Sequence, residues 1–212
     1  MIFALLPVKA PRNSKQRLSG ILTASEREAL ARCLFEQTLE TVLAARNIDR
    51  LCVVTSDSIT AGHARCAGAL VFDELEQRSH SHSADTAARR AIELGARTVV
   101  MLPIDVPLLT VAEVEQLAAA ARPGVLIVPD AAGTGTNALV RTPPDIIESR
   151  FGPNSLRAHL EEARLRGVPA DVMRPPGLLF DIDTPEDVTE LLLRAPECRA
   201  ARLLAVKCTS GS

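Results

Sequence analysis

Four short apolar runs, each followed by a stretch of helical character, limit what this chain can fold into. Residues 2–8 (IFALLPV), 51–55 (LCVVT), 98–102 (TVVML) and 125–128 (VLIV) are nearly continuous in apolar side chains rather than alternating. Strands of that kind are buried on both faces, as in a parallel sheet covered by helices on each side. Between them the spacing predicts helices over residues 25–46, after Asp57, over 84–94 and over 111–121. Thr23 and Ser25 each stand three residues before a glutamate, so two capping boxes compete for the start of the first helix. Thr110 caps the fourth, which stops before Pro123-Gly124. Repeated strand–helix–strand units with short connections imply an α/β fold on a mostly parallel sheet.

After Pro129 the rhythm changes. Gly and Pro punctuate the chain, short strands are expected at 138–141, 171–174 and 178–180, and a helix at 155–166. The last expected helix, residues 185–193, has Thr184 as N-cap and Pro185 at its first position. Residues 1–195 are read as one domain and residues 196–212 as a loose tail. With 212 residues, such a chain can bury a core without metals or disulfides as staples.

Composition narrows the class of function. The formal charge is −2, no block of like charges occurs, and Trp and Tyr are absent. Neither a polyanion-binding surface nor an aromatic platform for nucleic acid is indicated. Cys33, Cys52, Cys66, Cys198 and Cys208 have no C-x-x-C spacing and are odd in number, so a reducing, cytoplasmic setting fits better than a disulfide framework. The apolar opening runs straight into Pro7-Val8-Lys9, too short for a signal segment. No apolar run approaches the ~20 residues of a membrane helix.

Five segments can carry chemistry. Residues 9–17, after the first strand, hold Lys9, Arg12, Lys15 and Arg17. They lie where open α/β sheets bind ligands. The segment reads equally as a triphosphate cradle or as a solvated basic loop, and it is not a Walker P-loop. In Pro103-Ile104-Asp105-Val106-Pro107 a buried strand ends and a carboxylate follows between prolines, which suits a hard divalent cation or a plain acidic turn. In Phe180-Asp181-Ile182-Asp183, extended chain would point both carboxylates to one face, where they repel unless a cation lies between them. Asp130-Ala-Ala-Gly133-Thr134-Gly135-Thr136-Asn137 offers backbone N–H groups to an anion, or merely a glycine turn. Finally, Gly152 and Pro153 look like the N-cap and first residue of a helix whose free amides near Ser155 would meet a phosphate. The last two suggest a second anion site, and hence two phosphorylated substrates. His80 and His82 in Ser-His-Ser-His-Ser read as a polar loop, His63 and His159 as surface helix residues.

Taken in order, these motifs resemble the phospholactate guanylyltransferase family of coenzyme F-420 biosynthesis, within the nucleotidyltransferases of molybdenum-cofactor guanylyltransferase-like fold. The resemblance runs from about residue 2 to residue 193. Its carriers are Pro7-Val8-Lys9 with Lys15 and Arg17-Leu18, residues 103–110, Gly133 to Leu139, Arg150-Phe-Gly-Pro153 with Ser155, and Asp181 to Asp187. It implies a three-layer α/β/α, nucleotide-diphospho-sugar transferase-like (Rossmann-like) domain. The implied reaction is transfer of GMP from GTP to phosphoenolpyruvate, 2-phospho-L-lactate or 3-phosphoglycerate, with Mg2+ as cofactor. Asp105, Asp181 and Asp183 would hold the metal. Lys9, Lys15 and Arg17 would contact the nucleotide phosphates, with Asp105, Lys15 and Arg17 central to catalysis. Thr136, Gly152 and Ser155 would hold the acceptor's phosphate. The family's Gly-Leu-Asn near the base pocket is replaced by Ala84-Asp85-Thr86, so Asp85 and Thr86 are expected at the base. A sugar 1-phosphate transferase of the same fold, a non-catalytic nucleotide-binding regulator and a homodimeric state all remain open.

Overall fold

In a computed structural model, which describes residues 1–73 and 79–208, the sequence assembles as a central sheet between two helical layers. The elements in chain order are β1 (Ile2–Pro7), α1 (Ala24–Leu43), β2 (Arg50–Thr55), α2 (Ser58–Cys66), β3 (Leu70–Asp73), α3 (His80–Glu93), β4 (Thr98–Met101), α4 (Val111–Ala119) and β5 (Gly124–Val128). They continue with β6 (Ala138–Thr142), α5 (Ser155–Leu165), β7 (Ala170–Val172), α6 (Pro185–Arg194) and α7 (Arg199–Cys208). Among the described residues the strand order is β3-β2-β1-β4-β6-β5-β7. β1, β2, β3 and β4 are mutually parallel, β6 runs antiparallel to both β4 and β5, and β7 is parallel to β5.

Alternate residues of each strand feed opposite layers, as the two-residue period of a strand requires. One core joins Ala4, Leu6, Val53 and Val100 to Phe35 and Leu39 of α1 and Leu117 of α4. The other joins Phe3, Leu5, Cys52 and Met101 to Ala84, Ala87, Ala88 and Ala91 of α3 and Ala163 of α5. The alanine face of α3 lets that helix approach the sheet closely. A smaller cluster packs Leu18, Leu30 and Leu34 against Ile182, Val188, Leu191, Ala200, Ala201 and Leu204.

Local chemistry decides the element ends. Thr23 wins the contest for α1: its side chain accepts from the Glu26 amide, and Glu26 accepts in return from the Thr23 N–H. Asp57 caps α2 by accepting from Thr60. α3 begins at His80, four residues before the expected start, because Ser79 accepts from the His82 amide. His80 and His82 are therefore first-turn helix residues and not a loop. Gly152 does not cap α5; the cap is Asn154 at φ 56°, a left-handed conformation that asparagine tolerates. The sequence reading does not include the edge strand β3, of which only Phe72 is buried.

Two further expectations are corrected. Residues 199–208 form α7 and not a loose tail, since Ala200, Ala201 and Leu204 are buried on α1 and α6; residues 209–212 lie outside the described chain. Residues 178–180 are not a strand. Pro176–Leu178 make a single 3-10 turn, held by a 2.6 Å hydrogen bond from the Gly177 N–H to Glu113 Oε1. A Cβ at Gly177 would run into the Leu108 carbonyl and the Glu113 carboxylate. Glu113 is nearly buried, and its second oxygen accepts from the Thr110 amide at 3.0 Å and hydroxyl at 2.9 Å. One carboxylate thus caps α4 and anchors the turn that leads to Asp181. Glu113→Ala should lower the free energy of unfolding by about 2–3 kcal/mol, because buried donors lose a charged acceptor. Chemical denaturation measures this, and a loss under ~1 kcal/mol would contradict the anchoring role.

Candidate active site

The sheet brings the five chemical segments to one edge. The loops after β1, β4 and β5 leave the same ends of parallel strands. The last of these loops leads straight into β6, whose antiparallel pairing sets Leu139 opposite Met101 and Ala138 opposite Val128. Residues 181–183 are stitched on by a 3.0 Å hydrogen bond from the Ile182 N–H to the Asp105 carbonyl.

At this edge a cleft of about 440 Å³ is lined by Pro7, Lys9, Lys15, Arg17, His80, Asp105 and Asp183, among others. Lys15 organises it. The residue holds a left-handed backbone at φ 55°, strained for a side chain with a Cβ by roughly 1 kcal/mol or more. That turn carries the ammonium inward, where it donates to Asp105 Oδ2 at 2.9 Å, the Ile182 carbonyl at 2.6 Å and Asp183 Oδ1 at 3.1 Å. Burial pulls the Lys15 pKa down, but the Asp105 and Asp183 carboxylates outweigh it and hold the ammonium above its ordinary value. Arg17 reaches Asp183 Oδ2 at 3.7 Å from a largely exposed position. Lys9 is exposed on the cleft wall. The basic loop is therefore one tightly bound lysine flanked by solvent-facing cations.

Asp181 lies next to this pair but faces the neighbouring cavity with Ala131, Phe180, Asp187 and Arg194. The Asn137 amide donates to its Oδ1 at 3.4 Å and to the Leu178 carbonyl at 2.7 Å. Burial raises the Asp181 pKa, and the Asp105 and Asp183 charges raise it further. Asp187, by contrast, belongs to the α6 cap: it accepts from the Asp183 and Thr184 amides. The donor set of Asp105, Asp181 and Asp183 is hard oxygen only, which suits magnesium. Among the described residues no group of three ligating side chains closes on a single point.

The second anion segment is built differently from the expected helix terminus. The Ser155 amide donates to the Gly152 carbonyl, and the Leu156 amide to the Thr134 carbonyl, so these two α5 amides are spent on the fold. Ser155 is buried, Gly152 exposed, and Thr136 partly exposed. His159 joins the pieces. It is fully buried rather than on the surface, 3.1 Å from Thr136 Oγ1 through Nδ1, and its Nε2 accepts from the Arg150 N–H at 2.8 Å. Burial, with help from the nearby Arg141 charge, pushes the imidazole pKa down to about 4, so it is neutral at neutral pH. Phe151 stands edge-on to His159 and to His80, linking this segment to the cleft wall.

The expectation for Asp85 and Thr86 is corrected by where α3 points them. Asp85 accepts from the buried Arg141 guanidinium at 2.7 Å and from the Ser149 hydroxyl at 2.7 Å and amide at 3.1 Å. Its Oδ1 is committed to tying α3 to β6 and to the loop before α5, and its Oδ2 shares the Ser149 amide at 3.1 Å. Thr86 accepts from Arg89 on its own helix at 3.2 Å. Neither residue lines the cleft. Arg141, inside an apolar strand run, and His159, four residues after Ser155 on one helix face, were the available sequence signals for this network.

Comparison with known proteins agrees with this layout. A protein described as a nucleotide-diphospho-sugar transferase, from Desulfovibrio desulfuricans G20, superimposes with a TM-score of 0.80 over 98% of this chain and 95% of its own, at 15% identity. The 4-diphosphocytidyl-2C-methyl-D-erythritol synthase of Anaerococcus prevotii does so at 0.64 over 97% and 96%, at 12% identity. Both show the fold. In sequence, the chain is 36% identical to the phosphoenolpyruvate guanylyltransferase of Sphaerobacter thermophilus over 91% of this chain and 93% of that one. It is 34% identical to the 3-phospho-D-glycerate guanylyltransferase of Colwellia psychrerythraea, over 89% and 90%. It is 30% identical to the 2-phospho-L-lactate guanylyltransferase of Methanothermobacter thermautotrophicus, over 95% and 88%. Residues 2–206 match the family described as guanylyl transferase CofC like, and the chain belongs to that family.

Proposed function

We propose that this protein transfers GMP from GTP to the phosphate of a small phosphorylated acid, with phosphoenolpyruvate the first candidate acceptor, and releases pyrophosphate. The observation that carries the reading is the buried Lys15 ammonium, held by two carboxylates on a cleft flanked by Lys9 and Arg17. Five relatives at 33–36% identity are phosphoenolpyruvate guanylyltransferases, beside one 3-phospho-D-glycerate guanylyltransferase at 34% and one 2-phospho-L-lactate guanylyltransferase at 30%, which favours that acid over the other two. The same family membership puts the product in coenzyme F-420 biosynthesis.

The chemistry follows from charge. An oxygen of the acceptor's phosphate attacks the α-phosphorus, the bond to the bridging oxygen breaks, and pyrophosphate leaves with the electron pair. The attacking oxygen is already ionised, so no general base is needed. Two anions must meet, and cations have to screen them while fixed geometry aligns them. Lys9, Lys15 and Arg17 serve the triphosphate. Thr136 and Gly152 hold the acceptor's phosphate, and Ser155, buried with its amide bonded to the Gly152 carbonyl, acts by holding that loop in place. Mg2+ carried by Asp105, Asp181 and Asp183 would supply Lewis acidity and charge neutralisation at the α-phosphate. Asp85 and Thr86 do not line the cleft, so guanine selection is assigned to other groups around it, backbone among them.

The test is pyrophosphate release with GTP, ATP, CTP or UTP against phosphoenolpyruvate, 2-phospho-L-lactate and 3-phosphoglycerate, with and without Mg2+. GTP with phosphoenolpyruvate and Mg2+ should be fastest by at least about a hundredfold over the other nucleotides, since a wrong base leaves buried polar groups unpaired. Preference for ATP or a pyrimidine nucleotide would overturn the guanylyl assignment, and release independent of any acceptor would overturn transfer itself.

A further inference from the structure

The geometry points to His159 as a positioning residue that aims the Thr136 hydroxyl at the acceptor. This rests on the reading that Thr136 touches the acceptor. The tautomer is dictated by the fold. Nε2 receives the Arg150 N–H at 2.8 Å and so carries no proton. In the neutral ring the proton is then on Nδ1, which faces Thr136 Oγ1 at 3.1 Å. Thr136 cannot donate to a nitrogen that already bears hydrogen. Its hydroxyl oxygen therefore accepts, and its own proton is left to point away from the imidazole, toward the open side of the loop.

The surroundings hold the ring in that state. His159 is 0% exposed. Phe151 packs edge-on against it at 5.1 Å between centroids. Arg150, whose backbone His159 grips, is itself clamped by Glu162 on the same helix at 3.0 Å. On the other side, Ser149 is fixed by Asp85, and the Phe151 amide donates to Ser81 Oγ at 2.9 Å. One imidazole thus ties the glycine-rich loop before β6 to the loop before α5, the two segments assigned to the acceptor. Because the hydroxyl is oriented before the acceptor arrives, a negative oxygen meets a ready donor rather than a freely turning one.

A double-mutant cycle with Thr136→Val and His159→Gln tests this. Gln presents an oxygen near the Nε2 position for the Arg150 N–H but takes away the Nδ1–H that faces Thr136. His159→Asn does the opposite and serves as the rescue variant; thermal unfolding is followed for all of them. Thr136→Val should raise the phosphoenolpyruvate KM by about tenfold, the worth of one hydrogen bond to a charged group. His159→Gln should do nearly the same while the GTP KM stays within about twofold. The double variant should be no worse than Thr136→Val alone, since both remove one interaction, and His159→Asn should recover most of the loss. Additive effects in the double variant, or an equal rise in the GTP KM, would overturn the positioning role. If Thr136→Val leaves the phosphoenolpyruvate KM unchanged, the acceptor assignment of Thr136 fails, and the inference with it.

Discussion

Asp105→Asn is expected to reduce turnover by roughly three orders of magnitude while leaving the melting temperature nearly unchanged. The asparagine keeps the shape and, through its remaining oxygen, a contact for Lys15 Nζ, now 2.9 Å from Asp105 Oδ2. The backbone bond from the Ile182 N–H to the Asp105 carbonyl is untouched by the change. What is lost is a full charge where a hard cation and a triphosphate must meet, and a neutral amide oxygen is a weak substitute for a carboxylate toward such a cation. Pyrophosphate release and thermal unfolding measured on one preparation separate the two effects. Turnover near the wild-type rate would remove Asp105 from the metal and from catalysis.

Lys15→Met should lose turnover to a similar degree, but with a second signature in the free protein. The ammonium is the cation that Asp105 and Asp183 share. Taking it away leaves them and Asp181 repelling one another. Breaking a fully buried pair costs about 3–5 kcal/mol; here both carboxylates reach water, at 29% and 42% exposure, and screening reduces the loss to about 1–2 kcal/mol. Without nucleotide, Mg2+ should raise the melting temperature of Lys15→Met more than that of the wild type. The cation would relieve a repulsion that Lys15 otherwise relieves, and ligands that bind only the folded state stabilise it. Equal shifts in the two proteins would mean that lysine and cation do not compete for the same carboxylates.

The sequence carried the sheet's first half well. Continuous apolar runs marked β1, β2, β4 and β5 to within a residue or two, because a strand covered on both faces has no polar side to blur it. Thr110, Asp57 and Thr184 marked helix starts because a cap needs only a short local pattern. The second half was less legible. Residues 178–180 read as a strand, but Glu113, 64 residues from Gly177 in sequence, captures the Gly177 amide and makes a turn over Pro176–Leu178. The small residues of α7 revealed nothing alone, since their burial depends on the groove that α1 and α6 provide.

The same division runs through the site. By itself the sequence determined which residue types stand at element ends: Lys15 and Arg17 after β1, Asp105 after β4, and Asp181 and Asp183 just before α6. Strand-end chemistry is local, so order along the chain is enough to expose it. The tertiary structure alone decided which of these groups meet and which way they face. It buried Lys15 between two aspartates, turned Asp181 toward Asn137, and made His159 the hinge between two loops. It also withdrew Asp85 to hold Arg141 and Ser149. Those outcomes depend on pairing across 9 to 168 positions of chain, and such pairing is set by strand order and by the need of each buried polar group for a partner. A linear pattern of residue types contains neither.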